Sequence, residues 1–333
     1  MSDTPLVELR ALTKHFRLPG GLFGRRSATL RAVDGVDLAI RRGETLGLVG
    51  ESGCGKSTLA RTLIRLFRPT SGEMLFDGTD IAELDERALA PVRRRMQMVF
   101  QDPYASLDGR MTVRALIAEP LEIARVGTEA SRRARVDELL GKVGLNPDHA
   151  TRFPHEFSGG QRQRIGIARA IALNPDLVIC DEPISALDVS IQAQVVNMLE
   201  DLQAELGLTY LFITHDLSMV RHIADRIGVM YLGKIVEIAS NTALYRAPAH
   251  PYTQALLASI PVADPSVRRD TPPMRGEIPT AVDVPSGCRF RTRCPLATEL
   301  CARVEPPLAE VEEGHFAACH YADKVMARGT VVA

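Results

Sequence analysis

Short apolar segments alternate with longer amphipathic segments through about the first 240 residues of the chain. Apolar or alternating runs bounded by turn residues predict β-strands, and apolar residues at helical spacing predict α-helices. The predicted strands are residues 6–12, as an edge strand, and residues 33–40, 44–49, 71–78, 96–100, 177–180, 210–213, 227–231 and 234–238. The predicted helices are residues 59–66, 161–173 and 191–206. Strands that alternate with helices in this way predict an α/β fold.

Residues 112–157 depart from this pattern because they are helical, amphipathic and charged. Thr112 is a candidate N-cap, and the apolar stripe that follows at helical spacing consists of Val136, Leu139, Leu140 and Val143. The stripe predicts a small helical subdomain that packs on itself and is inserted at about residues 105–172.

The composition changes after about residue 248, so we predict one domain of residues 1–248 and a C-terminal extension of residues 249–333. Eight prolines lie between residues 248 and 285, and only residues 253–259 look helical. Because proline fixes φ and removes a backbone donor, this extension has low helix and strand potential. Something other than regular secondary structure must therefore order it.

Composition and charge are those of an ordinary globular protein. Of the 333 residues, 45% are apolar and 24% are charged, and the formal net charge is −1. This charge gives no basic field for nucleic acid, and no apolar run approaches the roughly 18 residues of a membrane helix. The N-terminus lacks the basic and apolar regions of a secretory signal, so we expect a cytoplasmic compartment with reduced thiols.

The segment between the predicted strand 44–49 and the predicted helix 59–66 has the G-x-x-x-x-G-K-[ST] pattern of a phosphate-binding loop. It consists of Gly50, Glu51, Ser52, Gly53, Cys54, Gly55, Lys56, Ser57 and Thr58. The glycines let backbone N–H groups face one anion, Lys56 would reach the β- and γ-phosphates, and the Ser57 hydroxyl would bind Mg²⁺. A chance glycine-rich turn is the alternative, and the order of strand, loop and helix weighs against it.

Polar residues follow three other predicted strands, at the carboxyl ends where α/β sheets bind ligands. They are Gln101, Asp181, Glu182 and His215. Gln101 and Asp181 would bind Mg²⁺, and Glu182 would orient and deprotonate the water that attacks the γ-phosphate. His215 would contact that phosphate, so Glu182, His215 and Gln101 are the predicted catalytic residues. A solvated strand end and a structural histidine are the alternatives.

Two further features are candidates for nucleotide binding. The first is a run of small and polar residues at the start of a predicted helix, namely Ser158, Gly159, Gly160 and Gln161. The N–H groups of such a helix start can bind an anion, and an ordinary N-cap is the alternative. The second is Phe16, whose flat apolar ring could stack on adenine. A partly buried strand-end aromatic is the alternative there, and Phe23 competes for the stacking role.

In this order, the motifs make the chain resemble the ATP-binding-cassette (ABC) ATPases over about residues 6–240. The matching segments are Walker A at residues 50–58, the Q-loop at Gln101, the signature motif at residues 157–161, Walker B at residues 177–181, the catalytic glutamate Glu182, the D-loop at residues 185–188 and the switch histidine His215. Phe157 stands where the family usually has Leu, which preserves an apolar contact. The resemblance implies a P-loop NTPase core with a RecA-like mixed sheet, an antiparallel β subdomain, an inserted α-helical signature subdomain, and ATP and Mg²⁺ as cofactors.

Residues 99–107, 159–164 and 250–257, together with the cysteine-bearing tail, resemble the ATPase subunits of bacterial dipeptide and oligopeptide importers. The resemblance implies ATP-driven peptide uptake by a subunit that is peripheral to the cytoplasmic face of the inner membrane. The implied partners are a second, related ATPase in a heterodimer, two transmembrane permeases and an extracytoplasmic peptide-binding protein. Nickel chelates and glutathione-like peptides are alternative solutes, and a soluble ABC ATPase of translation or DNA repair is a further alternative.

The resemblance also implies that ATP joins two ATPase subunits. The phosphate loop, Gln101 and Asp181 would contact nucleotide or metal on one side, and residues 158–161 would contact the partner's nucleotide. Hydrolysis at Glu182 would then remove the γ-phosphate contacts and open the dimer. Residues 100–107 would pass this motion to a permease.

Four of the six cysteines lie in the last 46 residues, at Cys288, Cys294, Cys301 and Cys319. Their spacing lacks the C-x-x-C pairs typical of structural zinc and differs from ferredoxin patterns. The resemblance implies a [4Fe–4S] cluster on these cysteines, with Zn²⁺ or no metal as the alternatives. Such a cross-link would order the proline-rich extension. An iron–sulfur redox protein with a secondary ATPase is the matching functional alternative.

Overall fold

The computed structural model describes residues 4–18, 28–102, 104–260, 276–277 and 279–327. These residues form two compact units, each assembled from separate stretches of the chain. The first unit takes its described residues from 1–39, 46–82 and 214–333, and the second takes them from 40–45 and 83–213. The domain boundary that we predict at residue 248 stays a prediction.

The strands of the described residues, in chain order, are β1 (Val7–Leu18), β2 (Ala28–Ile40), β3 (Thr45–Val49), β4 (Ser71–Phe76), β5 (Thr79–Asp80), β6 (Met96–Val99), β7 (Leu177–Asp181), β8 (Thr209–Ile213), β9 (Arg226–Tyr231), β10 (Lys234–Ser240), β11 (Ala309–Glu312) and β12 (His315–Ala317). The helices are α1 (Lys56–Leu63), α2 (Glu86–Arg95), α3 (Val113–Ile123), α4 (Glu129–Lys142), α5 (Gly159–Ala170), α6 (Val189–Leu206), α7 (Leu217–Ile223), α8 (Asn241–Arg246), α9 (Pro251–Ala258), α10 (Glu299–Arg303) and α11 (Ala322–Met326). Two 3₁₀ turns lie at Pro147–Thr151 and Pro154–Glu156.

A four-stranded sheet in the first unit has the strand order β2-β1-β4-β5. Strand β1 pairs antiparallel with β4, with Val7 opposite Phe76, and it is flanked by β2 on its other side. The prediction that β1 is an edge strand is therefore wrong. Alternation of apolar and polar residues shows that one face is buried, but it carries no information about neighbours within the sheet.

A second group of strands in the first unit places β3 beside the hairpin of β9 and β10. Strand β3 pairs parallel with β9, with Leu46 opposite Arg226, and all five of its residues are buried. Strand β10 turns back from β9 and also pairs with β12, where Glu237 lies opposite Ala317. The predicted hairpin around Leu232 is confirmed.

The second unit contains a parallel sheet in the order β8-β7-β6, with Leu177 opposite both Met96 and Thr209. Every residue of β7 and β8 is buried, as expected for strands covered on both faces. The Thr112 hydroxyl accepts a hydrogen bond from the Ala115 N–H at 3.3 Å and caps α3, as predicted. The predicted stripe is buried at all four of its positions, namely Val136, Leu139, Leu140 and Val143.

The extension has more regular structure than the sequence predicts. The sequence predicts a helix only at residues 253–259, but the structure has α9, α10 and α11 and the short strands β11 and β12. These elements have three to eight residues each, which is too short for a clear periodicity. Strand β12 pairs with β10, and β11 pairs with β12, so these two strands depend on a segment that lies outside the extension.

A fully buried carboxylate, that of Glu237 in β10, holds the extension against the rest of the first unit. Its Oε1 accepts hydrogen bonds from the Ala249 N–H at 2.7 Å and from His315 Nε2 at 2.8 Å, and its Oε2 accepts the His250 N–H at 2.9 Å. The side chains of Glu237 and His315 are 0% and 1% exposed. A buried carboxylate with several donors is stable because its charge is compensated.

Within the described ranges, none of the helices combines the length and the apolar character that crossing a membrane requires.

We predict that His250 makes the protein less stable in mild acid. Its Nδ1 accepts the Tyr252 N–H at 3.1 Å as the N-cap of α9, and burial lowers the pKa of His250 from 6.5 to about 3. As the pH falls below about 6.5, the unfolded state takes up the proton first, so the free energy of unfolding should fall by about 1.4 kcal/mol per pH unit. Urea unfolding at pH 7.0 to 5.0 measures this slope.

The control is His250→Asn, since asparagine keeps a capping acceptor but does not titrate. This variant should have a flatter dependence of unfolding free energy on pH, whereas His222→Asn, at an exposed histidine, should follow the wild type. A slope in His250→Asn equal to that of the wild type would contradict the prediction.

Candidate functional site

The phosphate loop joins β3 to α1 in the first unit, so strand, loop and helix follow one another as the motif predicts. Three of its glycines have positive φ, with 154° at Gly50, 80° at Gly53 and 113° at Gly55. A Cβ at Gly50 would lie 2.2 Å from the Met230 oxygen, and a Cβ at Gly55 would lie 2.0 Å from the Ala32 oxygen. Both positions therefore require glycine for space as well as for conformation.

The Lys56 side chain turns back onto the loop that precedes it. Its Nζ donates hydrogen bonds to the Gly50 oxygen at 2.7 Å and the Glu51 oxygen at 3.1 Å, and the residue is only 4% exposed. Within the described part of the chain, no side chain caps α1, which begins at Lys56. An ammonium group and the N–H groups of a helix start fit a polyphosphate, so the loop suits the phosphates of ATP.

Two residues of the extension contact the loop at Glu51. Arg293 donates from Nη1 and Nη2 to the two Glu51 carboxylate oxygens at 2.7 and 2.9 Å, which raises the pKa of the guanidinium. The Tyr252 hydroxyl accepts the Glu51 N–H at 2.8 Å. Sequence analysis did not indicate these contacts, because Tyr252 and Arg293 lie 201 and 242 positions from Glu51 and no local pattern connects them.

In the second unit, β7 ends at Asp181, which is 0% exposed, and Glu182 follows it. Glu182 has a φ of 49°, an uncommon conformation for a residue other than glycine, and its N–H donates to the Ile213 oxygen at 2.9 Å. Gln101 Nε2 donates to Glu182 Oε2 at 2.9 Å, so the structure brings these two predicted residues together. Burial, with the charge of Asp181, raises the pKa of Cys180 to about 12, as expected of a small buried thiol.

The signature segment forms a local capping box at the start of α5. The Ser158 hydroxyl accepts the Gln161 N–H at 3.3 Å, and the Gln161 Oε1 accepts the Ser158 N–H at 3.0 Å. A Cβ at Gly160 would lie 2.5 Å from Ile191 Cγ2, so packing against α6 favours glycine there. These contacts match the N-cap alternative, and contact of residues 158–161 with a partner's nucleotide stays a prediction.

The remaining predicted residues lie in the first unit. His215 is exposed just after β8, and the Asp216 carboxylate caps α7 by accepting the Ser218 N–H at 2.8 Å. Phe16 packs edge-to-face against Phe67 with ring centroids 5.4 Å apart. Stacking of Phe16 on adenine stays a prediction, and its competitor Phe23 lies outside the described residues.

Other positions in the loop vary in exposure. Ser52 and Gly53 are exposed, and the Thr58 carbonyl accepts the Thr62 hydroxyl proton at 2.7 Å inside α1. Cys54 is buried, and burial raises the pKa of its thiol. A buried, protonated thiol at this position is unreactive.

The four cysteines of the extension line one cavity of about 10 Å³, namely Cys288, Cys294, Cys301 and Cys319. A cavity of this size has room for about one water molecule. Burial raises the pKa of Cys288 to about 11 and that of Cys319 to about 12, so both thiols are protonated at neutral pH. Metal binding would require both thiols to lose their protons.

The prediction of a [4Fe–4S] cluster is wrong. Among the described residues, which include all four of these cysteines, no group of three or more His, Cys, Asp or Glu side chains could hold a metal ion. The zinc alternative depends on the same four thiolates and is not supported either. The clustering of the four cysteines in the sequence suggested a metal centre, but among the described residues their side chains do not form one.

Comparison with known proteins assigns the chain to a family. It is 56% identical over 318 residues to the oligopeptide transport ATP-binding protein AppF of Bacillus subtilis strain 168, covering 95% of this chain and 97% of that protein. The chain belongs to the ABC transporter ATPases. The ABC transporter family matches residues 33–185, and the C-terminal region of oligopeptide/dipeptide transporters matches residues 236–301. The predicted membership of the oligopeptide and dipeptide transporter group, and with it ATP hydrolysis, is confirmed.

Solved ABC cassettes share the fold. The dimeric, post-hydrolysis structure of the ATP-binding cassette MJ0796 with ADP and Pi is 31% identical, with a TM-score of 0.63, over 71% of this chain and 98% of that one. CbiO1 of Clostridium perfringens, part of the ABC transporter complex cbiONQ, is 26% identical, with a TM-score of 0.63, over 73% and 91%. The predicted ABC ATPase fold with mixed α/β sheets is confirmed.

We predict that Gly55→Ala disrupts the loop of this ABC ATPase far more than Gly53→Ala. Both residues have positive φ, but a Cβ at Gly53 meets nothing within 4 Å, whereas a Cβ at Gly55 meets the Ala32 backbone at 2.0 Å. Gly53→Ala should cost about 1 kcal/mol of stability from backbone strain alone. Gly55→Ala should cost about 2 kcal/mol more, because backbone must move.

Thermal and urea unfolding measure the two costs, and equilibrium binding of Mg²⁺·ATP reports the shape of the loop. Gly55→Ala should weaken ATP binding at least tenfold more than Gly53→Ala, since about 1.4 kcal/mol corresponds to a factor of ten. Equal effects of the two substitutions would show that the close approach of Gly55 to Ala32 is unimportant.

Proposed function

We propose that this ABC ATPase hydrolyses ATP to power the uptake of peptides, as one subunit of a peptide importer. The observation that carries the proposal is a match along 95% of the chain to an oligopeptide transport ATP-binding protein. The match includes the extension, where the oligopeptide/dipeptide transporter C-terminal region spans residues 236–301. Nickel chelates and glutathione-like peptides remain alternative solutes for the same motor.

The phosphate loop supplies the binding energy for ATP in this proposal. Lys56 leaves the loop carbonyls and contacts the β- and γ-phosphates, and the N–H groups at the start of α1 contact them as well. The Ser57 hydroxyl, Gln101 and Asp181 hold Mg²⁺, which neutralises phosphate charge when it is bound. Phe16 stacks on the adenine.

Hydrolysis requires a group that orients water and accepts its proton. We assign this role to Glu182, which takes a proton from the water that attacks the γ-phosphate, so that ATP and water give ADP and phosphate. The hydrogen bond from Gln101 to Glu182 at 2.9 Å supports a shared role for this pair. His215 contacts the γ-phosphate in the same proposal.

Two ATPase subunits act together. Residues 158–161 contribute the N-terminus of α5 to the partner's nucleotide, and the dimeric MJ0796 structure with ADP and Pi supports such an arrangement. We propose a heterodimer with a second, related ATPase, which opens when hydrolysis removes the γ-phosphate contacts.

The importer places this subunit at the cytoplasmic face of the inner membrane, as a peripheral protein. Its partners are two transmembrane permeases and an extracytoplasmic peptide-binding protein. Nucleic acid is not among the proposed partners, because a net charge of −1 provides no basic surface field. An inserted helical signature subdomain at about residues 105–172 receives the permease contact through residues 100–107. The cassette of residues 1–248 is joined to the extension of residues 249–333.

The catalytic assignment predicts the behaviour of Glu182→Gln. The variant keeps a side chain of the same size that cannot accept the proton, so it should bind ATP, lose at least about 100-fold in kcat and remain as a closed dimer. ATPase assays, nucleotide binding and size-exclusion chromatography measure these properties. Lys56→Ala, the control, should lose ATP binding, and normal turnover by Glu182→Gln would remove Glu182 from the mechanism.

The cargo assignment predicts that peptide stimulates ATP hydrolysis only in the full complex. The chain should co-purify with its permeases from membranes, and the peptide-loaded binding protein should raise the ATPase rate of the reconstituted complex several-fold. A binding protein loaded with a nickel chelate serves as the comparison. Stimulation by the chelate alone would identify a different solute, and purification free of permeases would favour a soluble ATPase.

A further inference from the structure

Glu51 is held from three directions, and two of the contacts come from the extension. Its carboxylate receives both Nη groups of Arg293 at 2.7 and 2.9 Å, and its N–H donates to the Tyr252 hydroxyl at 2.8 Å. Its carbonyl oxygen accepts from Lys56 Nζ at 3.1 Å. The second residue of the phosphate loop is therefore anchored by side chain, amide and carbonyl together.

The surroundings of Arg293 make this anchor rigid. The side chains of Arg293 and Glu51 are 5% and 18% exposed. The guanidinium carbon lies 5.9 Å from the ring centroids of Tyr231 and Phe290, and Tyr252 packs 4.7 Å from Tyr231. Two aromatic rings thus flank the guanidinium, whose planar group matches a carboxylate through two hydrogen bonds.

The charge of Glu51 makes the Arg293 contact significant for ATP. A carboxylate inside a phosphate-binding loop repels a polyphosphate, because like charges interact strongly where water is excluded. Arg293 neutralises this carboxylate and holds it in place. When Lys56 turns to a phosphate, the loop loses the Lys56 hydrogen bonds to the Gly50 and Glu51 oxygens, which leaves Arg293 and Tyr252 to hold Glu51.

We propose that Arg293 and Tyr252 are positioning residues for the phosphate loop and promote ATP binding through Glu51. The inference deepens the proposed function and rests on it, since it takes the loop to bind the phosphates of ATP. It gives the extension a role in the ATPase reaction itself, in the region that matches the oligopeptide/dipeptide transporter C-terminal family at residues 236–301.

The test compares Arg293→Met with Glu51→Gln and with the double variant, in the full chain and in the assembled complex. Arg293→Met should raise the Kd and the KM for Mg²⁺·ATP by about tenfold or more, because it leaves a carboxylate unpaired in the loop. Glu51→Gln should raise them only about threefold. The double variant should bind ATP better than Arg293→Met alone, since it removes the repelling charge.

The kcat of these variants should change less than twofold, because neither side chain touches the reacting atoms. Arg293→Lys keeps the positive charge but loses the two parallel hydrogen bonds of the guanidinium. Its KM for Mg²⁺·ATP should therefore lie between those of the wild type and Arg293→Met. Tyr252→Phe removes the acceptor of the Glu51 N–H and should raise the KM about threefold. If Arg293 had only a structural role, its substitution would lower the melting temperature but would not raise the KM while leaving kcat nearly unchanged.

The matched control is Glu305→Gln, which breaks the ion pair from Glu305 in the extension to Lys234 in β10 at 2.6 Å, a contact that involves no residue of the loop. It should leave the KM for ATP unchanged. If Arg293→Met does not fold, Arg293→Lys and Glu51→Gln carry the test, because both keep the packing volume nearly constant.

Several results would overturn the inference. One is an unchanged KM in Arg293→Met or Arg293→Lys, and another is an equal shift in Glu305→Gln. A double variant whose loss equals the product of the single losses would also overturn it, because independent effects multiply. Failure of the proposed function has a separate signature, namely that the wild type does not hydrolyse ATP or that Lys56→Ala binds it normally.

Discussion

Main chain packs directly against main chain at the phosphate loop of the first unit, and the shape of the loop depends on this contact. Gly50 lies against the Met230 carbonyl and Gly55 lies against the Ala32 carbonyl, with no space for a Cβ at either position. The Gly233 N–H adds a hydrogen bond to the Cys54 oxygen at 2.8 Å. Strand β2 and the β9–β10 turn therefore pack directly on the loop backbone. The shape of the loop thus depends on the surrounding unit and not only on the nine residues of the motif.

Two carboxylates join the extension to this arrangement. Glu237 binds the chain at Ala249 and His250 and the ring of His315, while Glu51 binds Arg293 and Tyr252. A buried charge is stable only when donors surround it, so each carboxylate selects one position for the extension. These contacts, with the β10–β12 pairing, order the proline-rich region for which we had expected a metal cross-link.

The sequence predictions that the structure contradicts share a physical cause. Cysteine spacing cannot report that the four side chains line a cavity of only about 10 Å³ or that burial raises the pKa of Cys288 and Cys319. The position of β1 inside its sheet depends on strands elsewhere in the chain, as do the short elements of the extension. In each case the local pattern describes only a residue's own segment. The structure that the segment adopts depends on which distant segment packs against it.

The amino-acid sequence by itself determined the phosphate loop, the buried strand that ends at Asp181 and the α/β class, because each is a local relation between spacing and backbone geometry. The sequence also showed the family, since the motifs occur in a fixed order. Only the tertiary structure decided that Gln101 bonds to Glu182 and that Arg293 neutralises Glu51 from 242 positions away. Those contacts arise from chain folding over long separations, where sequence spacing holds no information about distance.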